Sequence, residues 1–427
     1  MNYKKVIVQW KEFNIPETAL RDVNINLDND FISAVTGPRR AGKTYLCFQT
    51  IHHLFKKGIS RENILYINFE DEKLIGADAN DLNMLLDTYY ELSNINNKQK
   101  IYLFFDEIQN VKNWDAWIRR IYDMEKNIQI IITGSSSKLL SREISTKLRG
   151  RTINTEIFPL SFKEFLNWKK IKYDTKNILY SKEKTKIKKQ FSSYMQEGAY
   201  PAVISLNSSK ETVLQEYYES MIFKDIVERH KIKNVKKLRL LASLLFDSAT
   251  KDISYSKLAN KLKSLGFSLS NDTVIEYISY FEDAYLFFQN LKYEYSINKQ
   301  LGAIKKVYCI DNGLLNAVSF KFSDDIGKLM ENLVYLELKR RNKEIYYHRK
   351  NHECDFLIKE KNKIINAIQV TKQLDENNCK REKKGLLEAM NAHDLKIGTI
   401  ITYGSEDEKK VEGKTIRIVP IWKWLLE

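Results

Sequence analysis

The chain has 427 residues, 43% of them hydrophobic and 29% charged, and carries a formal net charge of +15. This composition excludes general disorder and provides for two to four domains, each with its own core. The charge favours an anionic partner, nucleic acid first and membrane surface second, although Lys, Asn and Ile abound throughout and general composition accounts for part of it.

In the first third, apolar runs at Phe31–Thr36, Ile64–Phe69, Ile101–Phe105 and Ile128–Thr133 alternate with helix-length segments. That rhythm predicts a parallel sheet with helices on both faces. The first run leads into Gly37, Pro38, Arg39, Arg40, Ala41, Gly42, Lys43 and Thr44, "GPRRAGKT". The stretch satisfies G-x-x-x-x-G-K-[ST] and opens a helix, the setting this phosphate loop needs. Glycines let backbone N–H groups close on phosphate oxygens, and the helix N-terminus adds partial positive charge. Lys43 is expected to reach the β- and γ-phosphates of ATP, and the Thr44 hydroxyl to ligate Mg²⁺.

The run "IYLFFDEIQ" buries four apolar residues and then releases Asp106 and Glu107 at the strand's C-terminal end. Asp106 suits the hold on Mg²⁺, and Glu107 the polarisation of the attacking water, so hydrolysis is expected rather than passive binding. A third strand, "IQIIITGSSSKLL", ends near Ser135, a candidate for sensing the γ-phosphate. In "KLRGR", Arg149 and Arg151 are candidates for a charge-stabilising finger, in cis or from a neighbouring subunit.

After "FPLSFKEFL" the pattern turns helical up to about Gln289, with a Lys-dense patch at Lys169–Gln190 that reads as a solvated face before a nucleic-acid contact. Within this region Ile253–Phe288 reads as helix, turn, helix. Leu258, Leu262 and Leu265 line the first helix, Gly266 ends it, and Ser270–Asp272 caps the second. The strand-like "AYLFFQNLKYEY" follows, giving the outline of a winged helix that either binds DNA or serves as a bare lid. From Ile326 the chain returns to mixed structure: a long helix to Arg341, strands at Glu344–Arg349, Asp355–Glu360 and Ile364–Val370, a charged helix, and the strand Ile397–Thr402. The four cysteines form no CxxC pair, and there are no 18 consecutive apolar residues and no leader pattern. A cytoplasmic protein without a membrane partner is therefore expected.

The run "VTGPRRAGKT", "NFEDEKL", "FFDEIQNVKNWDAWIRR", "ITGSSSKLL", "LRGRT" and "PLSFKEFL" resembles a large bacterial and archaeal group of AAA+-type ATPases. "GAYPAV", "YYESMIFKDIVERHKIKN" and "GKLMENLVYLEL" extend the likeness over nearly the whole chain. The resemblance implies a P-loop ATPase core over 1–157, a helical lid over 158–235, a winged-helix domain over 236–300 and a nuclease-like domain over 301–427. It implies a PD-(D/E)xK arrangement for the last of these. Glu331 falls on the helix and Asp355 on the acidic strand, but Gln369 and Thr371 stand where Glu and Lys belong. Gln brings no charge to a metal, and Thr cannot steady a developing anion. Lys372 is one residue late and alternation turns it to the opposite face. Glu331, Asp355 and Gln369 are thus expected to form a degenerate second metal site.

Three functional classes follow: an ATPase switch acting on a nucleic acid or a protein partner, an ATP-gated metal-dependent DNA nuclease, and a DNA-binding regulator holding ATP as a structural ligand. Lys43, Asp106 and Glu107 argue against the third class, and Gln369 and Thr371 against the second. The oligomeric state is not fixed by the sequence.

Overall fold

A computed structural model of the chain describes every residue except 28, 135–145, 174–182, 320–324 and 376–378. The chain divides into two units, Met1–Phe158 and Pro159–Glu427. Among the described residues no helix is long and apolar enough to cross a membrane.

In the first unit, β1 (Ile32–Thr36), β2 (Ile64–Asn68), β3 (Ile101–Asp106), β4 (Ile128–Gly134) and β5 (Thr152–Glu156) form one sheet in the order β2-β3-β4-β1-β5. Every pairing is parallel. Residues of β1 and β4 are buried throughout, because helices cover both faces and leave no side for polar alternation. The helix Tyr3–Glu12 packs its Tyr3, Val6, Ile7 and Trp10 stripe inward. The Trp10 indole N–H reaches the Ile64 carbonyl at 2.7 Å, which satisfies its one polar atom in the core. β4 lies between β1 and β3, so the ends of all three strands open on the same edge.

In the second unit, helices Phe162–Trp168, Glu183–Glu197, Lys210–Ser220 and Val235–Asp247 lead into a mixed region. Ser161 and Glu164 form a capping box that starts the first of them. There follow β6 (Asp252–Ile253), helices Tyr255–Ser264 and Asn271–Asp283, β7 (Phe287–Lys292) and β8 (Lys305–Cys309). The Ser270 hydroxyl accepts from the Thr273 N–H and caps the second helix, as its sequence predicts. The long helix Ile326–Arg340 precedes β9 (Glu344–Arg349), β10 (Glu353–Glu360) and β11 (Lys363–Val370). The helix Cys379–Ala392, β12 (Ile397–Thr402), β13 (Asp407–Val411) and β14 (Lys414–Pro420) complete the chain's main elements.

Among the described residues these strands form a single sheet, β13-β14-β12-β11-β10-β9-β7-β8-β6. β9, β10 and β11 are antiparallel neighbours, and β12 runs parallel to β11. The join falls at β7, which pairs antiparallel with β8 and parallel with β9 through Leu291–Tyr346 and Lys292–Tyr347. The connection 293–304, in which the sequence places an edge between two domains, therefore links two strands of one sheet. The mixed α/β class predicted from sequence holds in both units.

Candidate nucleotide site and carboxylate cluster

The loop Gly37–Gly42 leaves β1 and delivers the chain into the helix Lys43–Lys56. A Cβ on Gly37 would stand 2.4 Å from the Ile157 carbonyl, so only glycine fits there. Gly42 sits at φ 98°, the left-handed turn that precedes the helix. The Arg21 guanidinium donates to the carbonyls of Ala41 and Phe158, both at 2.7 Å, and braces the loop from behind. Lys43 is buried, and its Nζ lies 3.2 and 3.1 Å from the carbonyls of Gly37 and Pro38 and 3.6 Å from Glu107 Oε1. Arg39 reaches Glu70 at 3.4 Å, and Arg40 holds a left-handed φ of 63°.

Asp106 is fully buried at the end of β3. Its Oδ2 accepts from the Thr44 hydroxyl at 2.6 Å and the Tyr66 hydroxyl at 2.7 Å, and its Oδ1 from the Thr133 hydroxyl. Burial raises its pKa above the ordinary value, helped by the charge of Glu107, and the three hydroxyls oppose that shift. Burial and then Asp106 push the Tyr66 phenol well up, which keeps it a donor. Glu107 follows at a left-handed φ of 55°. Its N–H donates to Thr133 Oγ1 at 3.0 Å, and its Oε2 accepts from Gln109 at 2.5 Å. The structure brings Gly37, Lys43, Thr44, Asp106 and Glu107 to one edge of the sheet. Tyr66 and Arg21 join them unannounced by any motif, and Thr133 and Gln109 join from within runs singled out for other residues. A buried ammonium, a helix N-terminus, and a hydroxyl–carboxylate pair facing them form a donor set that fits a nucleoside triphosphate with Mg²⁺.

Ser135 lies outside the described residues, as does part of the Lys-dense patch. Arg149 and Arg151 precede β5, whose Thr152 aligns with Ile32 at the start of β1. The phosphate loop follows the other end of β1, five residues away, or roughly 16 Å. Neither arginine reaches that loop in its own chain, which corrects the expectation of a finger in cis. Arg151 is moreover paired with Asp123 at 3.0 Å, whereas Arg149 is exposed.

In the second unit, Glu331 and Asp355 do come together. Both face a third group that no motif indicates: Lys306 of β8, whose side chain is only 3% exposed. Its Nζ lies 3.0 Å from Glu331 Oε1, 2.6 Å from Glu353 Oε1 and 3.0 Å from Asp355 Oδ1. Burial alone would lower its pKa, but the three carboxylates outweigh burial and hold it above the ordinary value. The Tyr308 hydroxyl donates to Glu331 Oε1 at 2.8 Å, and the Val370 N–H to Asp355 Oδ2 at 2.9 Å. Gln369 turns elsewhere: its Nε2 donates to Glu382 Oε2 at 2.7 Å and its Oε1 accepts from the Asp355 N–H at 3.3 Å. Thr371 Oγ1 donates to the Gln373 carbonyl at 3.1 Å. A charged residue inside a fully buried strand, "KKVYC", is the sequence signal for such a partnered lysine.

A family profile described as an AAA domain matches residues 29–166. Two further profiles, each described as a domain of unknown function, match residues 188–325 and 326–424. An uncharacterized protein of Methanocaldococcus jannaschii is 41% identical over 95% of this chain and 90% of its own length. An uncharacterized protein of Haemophilus influenzae is 32% identical over 94% of this chain and 95% of its own. The solved Walker-type ATPase of Pyrococcus abyssi superposes with 12% identity and a TM-score of 0.45, covering 71% of this chain and 99% of that one.

Proposed function

The chain belongs to a family of AAA-type P-loop ATPases, and on that premise we propose that it hydrolyses ATP and uses the nucleotide state to switch engagement of a partner by its second unit. One observation carries the reading: Lys43 and Glu107 stand 3.6 Å apart beside the Thr44–Asp106 pair. In this reading Lys43 meets the β- and γ-phosphate charge, Thr44 and Asp106 hold Mg²⁺, and Glu107 orients water and takes its proton. Bound Mg²⁺ would supply charge neutralisation on the phosphates. Arg149, exposed at the far edge of the sheet, is assigned to the phosphates of a neighbouring subunit, which makes the working form an oligomer.

For the second unit we read Val235–Cys309 as a winged helix, with sheet order β7-β8-β6, and Ile326–Thr402 as a nuclease-like core of helix, three antiparallel strands, helix and parallel strand. The second helix of the winged element, Asn271–Asp283, carries Asp272, Glu276, Glu282 and Asp283 and no lysine or arginine. Such a helix repels a phosphate backbone, so a protein partner is favoured over DNA in a groove. The nuclease-like core serves binding rather than cutting, because Gln369 and Thr371 replace a carboxylate and an ammonium.

ATP turnover by the full chain, measured alone and with DNA, RNA and cell extract, tests the proposal. Basal hydrolysis raised by the extract's protein fraction and indifferent to nucleic acid is the expected result. No Mg²⁺-dependent turnover under any of these conditions would remove the ATPase reading, and metal-dependent DNA cleavage lost in Asp355→Ala would remove the binding-only reading of the second unit.

A further inference from the structure

We propose that Lys306 is a built-in counter-cation: its ammonium occupies the position a divalent ion would need and so keeps the carboxylate cluster of the second unit closed to metals. The inference rests on the nuclease-like reading for the meaning of that position, and on geometry for the rest. An ammonium has three hydrogens, and three carboxylates, from Glu331, Glu353 and Asp355, lie 3.0, 2.6 and 3.0 Å from the nitrogen. Glu331 and Asp355 accept charge-assisted N–H···O bonds at those separations and Glu353 completes the set as an ion pair, whereas oxygen ligands of Mg²⁺ gather at about 2.0–2.1 Å.

Two further oxygens of the cluster are also engaged: Asp355 Oδ2 accepts from the Val370 N–H, and Arg349 approaches Glu353 Oε2 at 3.5 Å, while the Tyr308 hydroxyl shares Glu331 Oε1 with Lys306. Gln369, which would complete a metal site, is turned to Glu382. Among the described residues no group of three or more His, Cys, Asp or Glu side chains is disposed to hold a metal ion.

The placement of Lys306 in the fold adds a mechanical role. Glu331 comes from the long helix and Glu353 and Asp355 from β10, whereas Lys306 comes from β8, two strands away from β9 in the same sheet. One buried nitrogen therefore ties the winged element to the nuclease-like core. The pairing β7–β9 that otherwise links them in the sheet spans two residue pairs.

The test uses full-length protein without nucleotide and MnCl₂ as the probe, with bound Mn²⁺ counted by electron paramagnetic resonance and stability followed by thermal unfolding. Wild type and Asp355→Asn are expected to bind the same number of Mn²⁺ ions, because the cluster takes none. Lys306→Met removes the shared cation and leaves Glu331 and Asp355 buried side by side, with only the half-buried Glu353 still near a cation, Arg349. The variant's midpoint is expected to fall by roughly 10 °C in metal-free buffer. Added Mn²⁺ should then restore it, with one more ion bound than in the Lys306→Met, Asp355→Asn double variant.

An additional Mn²⁺ in the wild type that Asp355→Asn abolishes would overturn the proposal, and that measurement stands even if Lys306→Met fails to fold. A folded Lys306→Met as stable as wild type and indifferent to Mn²⁺ would overturn it equally. DNA cleavage by the wild type is a separate outcome: it would refute the binding-only reading of the core, whereas Asp355-dependent Mn²⁺ binding without cleavage would refute the role of Lys306 alone.

Discussion

Tyr66→Phe isolates the positioning of Asp106, the carboxylate proposed to hold Mg²⁺. The ring of Tyr66 packs against Trp10 and Phe48, with centroids 5.6 and 5.1 Å apart, and phenylalanine keeps both contacts. The loss is then confined to the hydroxyl, one of three that donate to the buried Asp106. A hydrogen bond to a charged acceptor is worth about 1.5–3 kcal/mol. Two donors remain, so the lower end applies, about 1.5 kcal/mol or roughly tenfold in an equilibrium constant. The Mg²⁺ concentration giving half-maximal ATP turnover is expected to rise roughly tenfold, and the unfolding midpoint to fall by about 3–6 °C.

The pH profile gives a second readout of the same change. Burial, and then the charge of Glu107, raises the Asp106 pKa, and the Tyr66 hydroxyl is among the groups that lower it. The folded carboxyl thus holds its proton more tightly than the unfolded one, and folding takes up a proton at pH values above the ordinary 3.8. Stability falls as pH rises across that window, and it falls further when the hydroxyl is removed. The acid limb of turnover should move to higher pH in the variant. An unchanged Mg²⁺ dependence together with an unmoved acid limb would show that the hydroxyl does not position Asp106.

Glu107→Gln is expected to bind ATP but to turn it over roughly 10²–10³-fold more slowly, while Lys43→Ala loses ATP binding in an equilibrium titration. Equal turnover in Glu107→Gln and wild type would take the general-base role from Glu107. Wild-type specific activity should climb with protein concentration as subunits assemble. Arg149→Ala should abolish that climb, and Arg151→Ala, which breaks only the pair with Asp123, should not. Duplex DNA binding, followed by anisotropy between about 50 and 200 mM salt, is expected to be weak throughout. Tight binding with a steep salt slope would refute the acidic-helix argument.

The phosphate loop and the Asp106–Glu107 pair were legible because each is a contiguous string whose chemistry demands its own residue types. Asp106's other partners were not. Tyr66 and Thr133 meet it only because β2 and β4 flank β3, and strand order depends on tertiary packing that no local pattern encodes. The two arginines of "KLRGR" show the converse: their type was suggestive, but the parallel register of β5 with β1 sets them at the wrong edge for a cis role. In the second unit the helix and strand bearing Glu331 and Asp355 were readable from periodicity, and the two do converge. Lys306 lies 25 and 49 residues before them. The pattern of its strand could have flagged a buried charge, yet it could not have named the partners. Gln369 does lie beside Asp355, whose N–H its Oε1 accepts, but its amide donates to Glu382 on the following helix, a partner that no local pattern names.

The continuous sheet of the second unit bears on how such a protein can be inherited. A recombination break at residue 300 would fall between β7 and β8, which exchange backbone hydrogen bonds from Phe287–Cys309 to Leu291–Lys305. The upstream piece would keep β7 with its partners on both sides missing, and open strand edges of that kind pair with other chains. The downstream piece would keep Lys306 on a β8 stripped of both flanking strands, leaving three carboxylates to depend on a frayed end. A cut at residue 300 thus divides paired strands of one sheet, so the second unit, Pro159–Glu427, is expected to be lost, gained or exchanged without a break at that point.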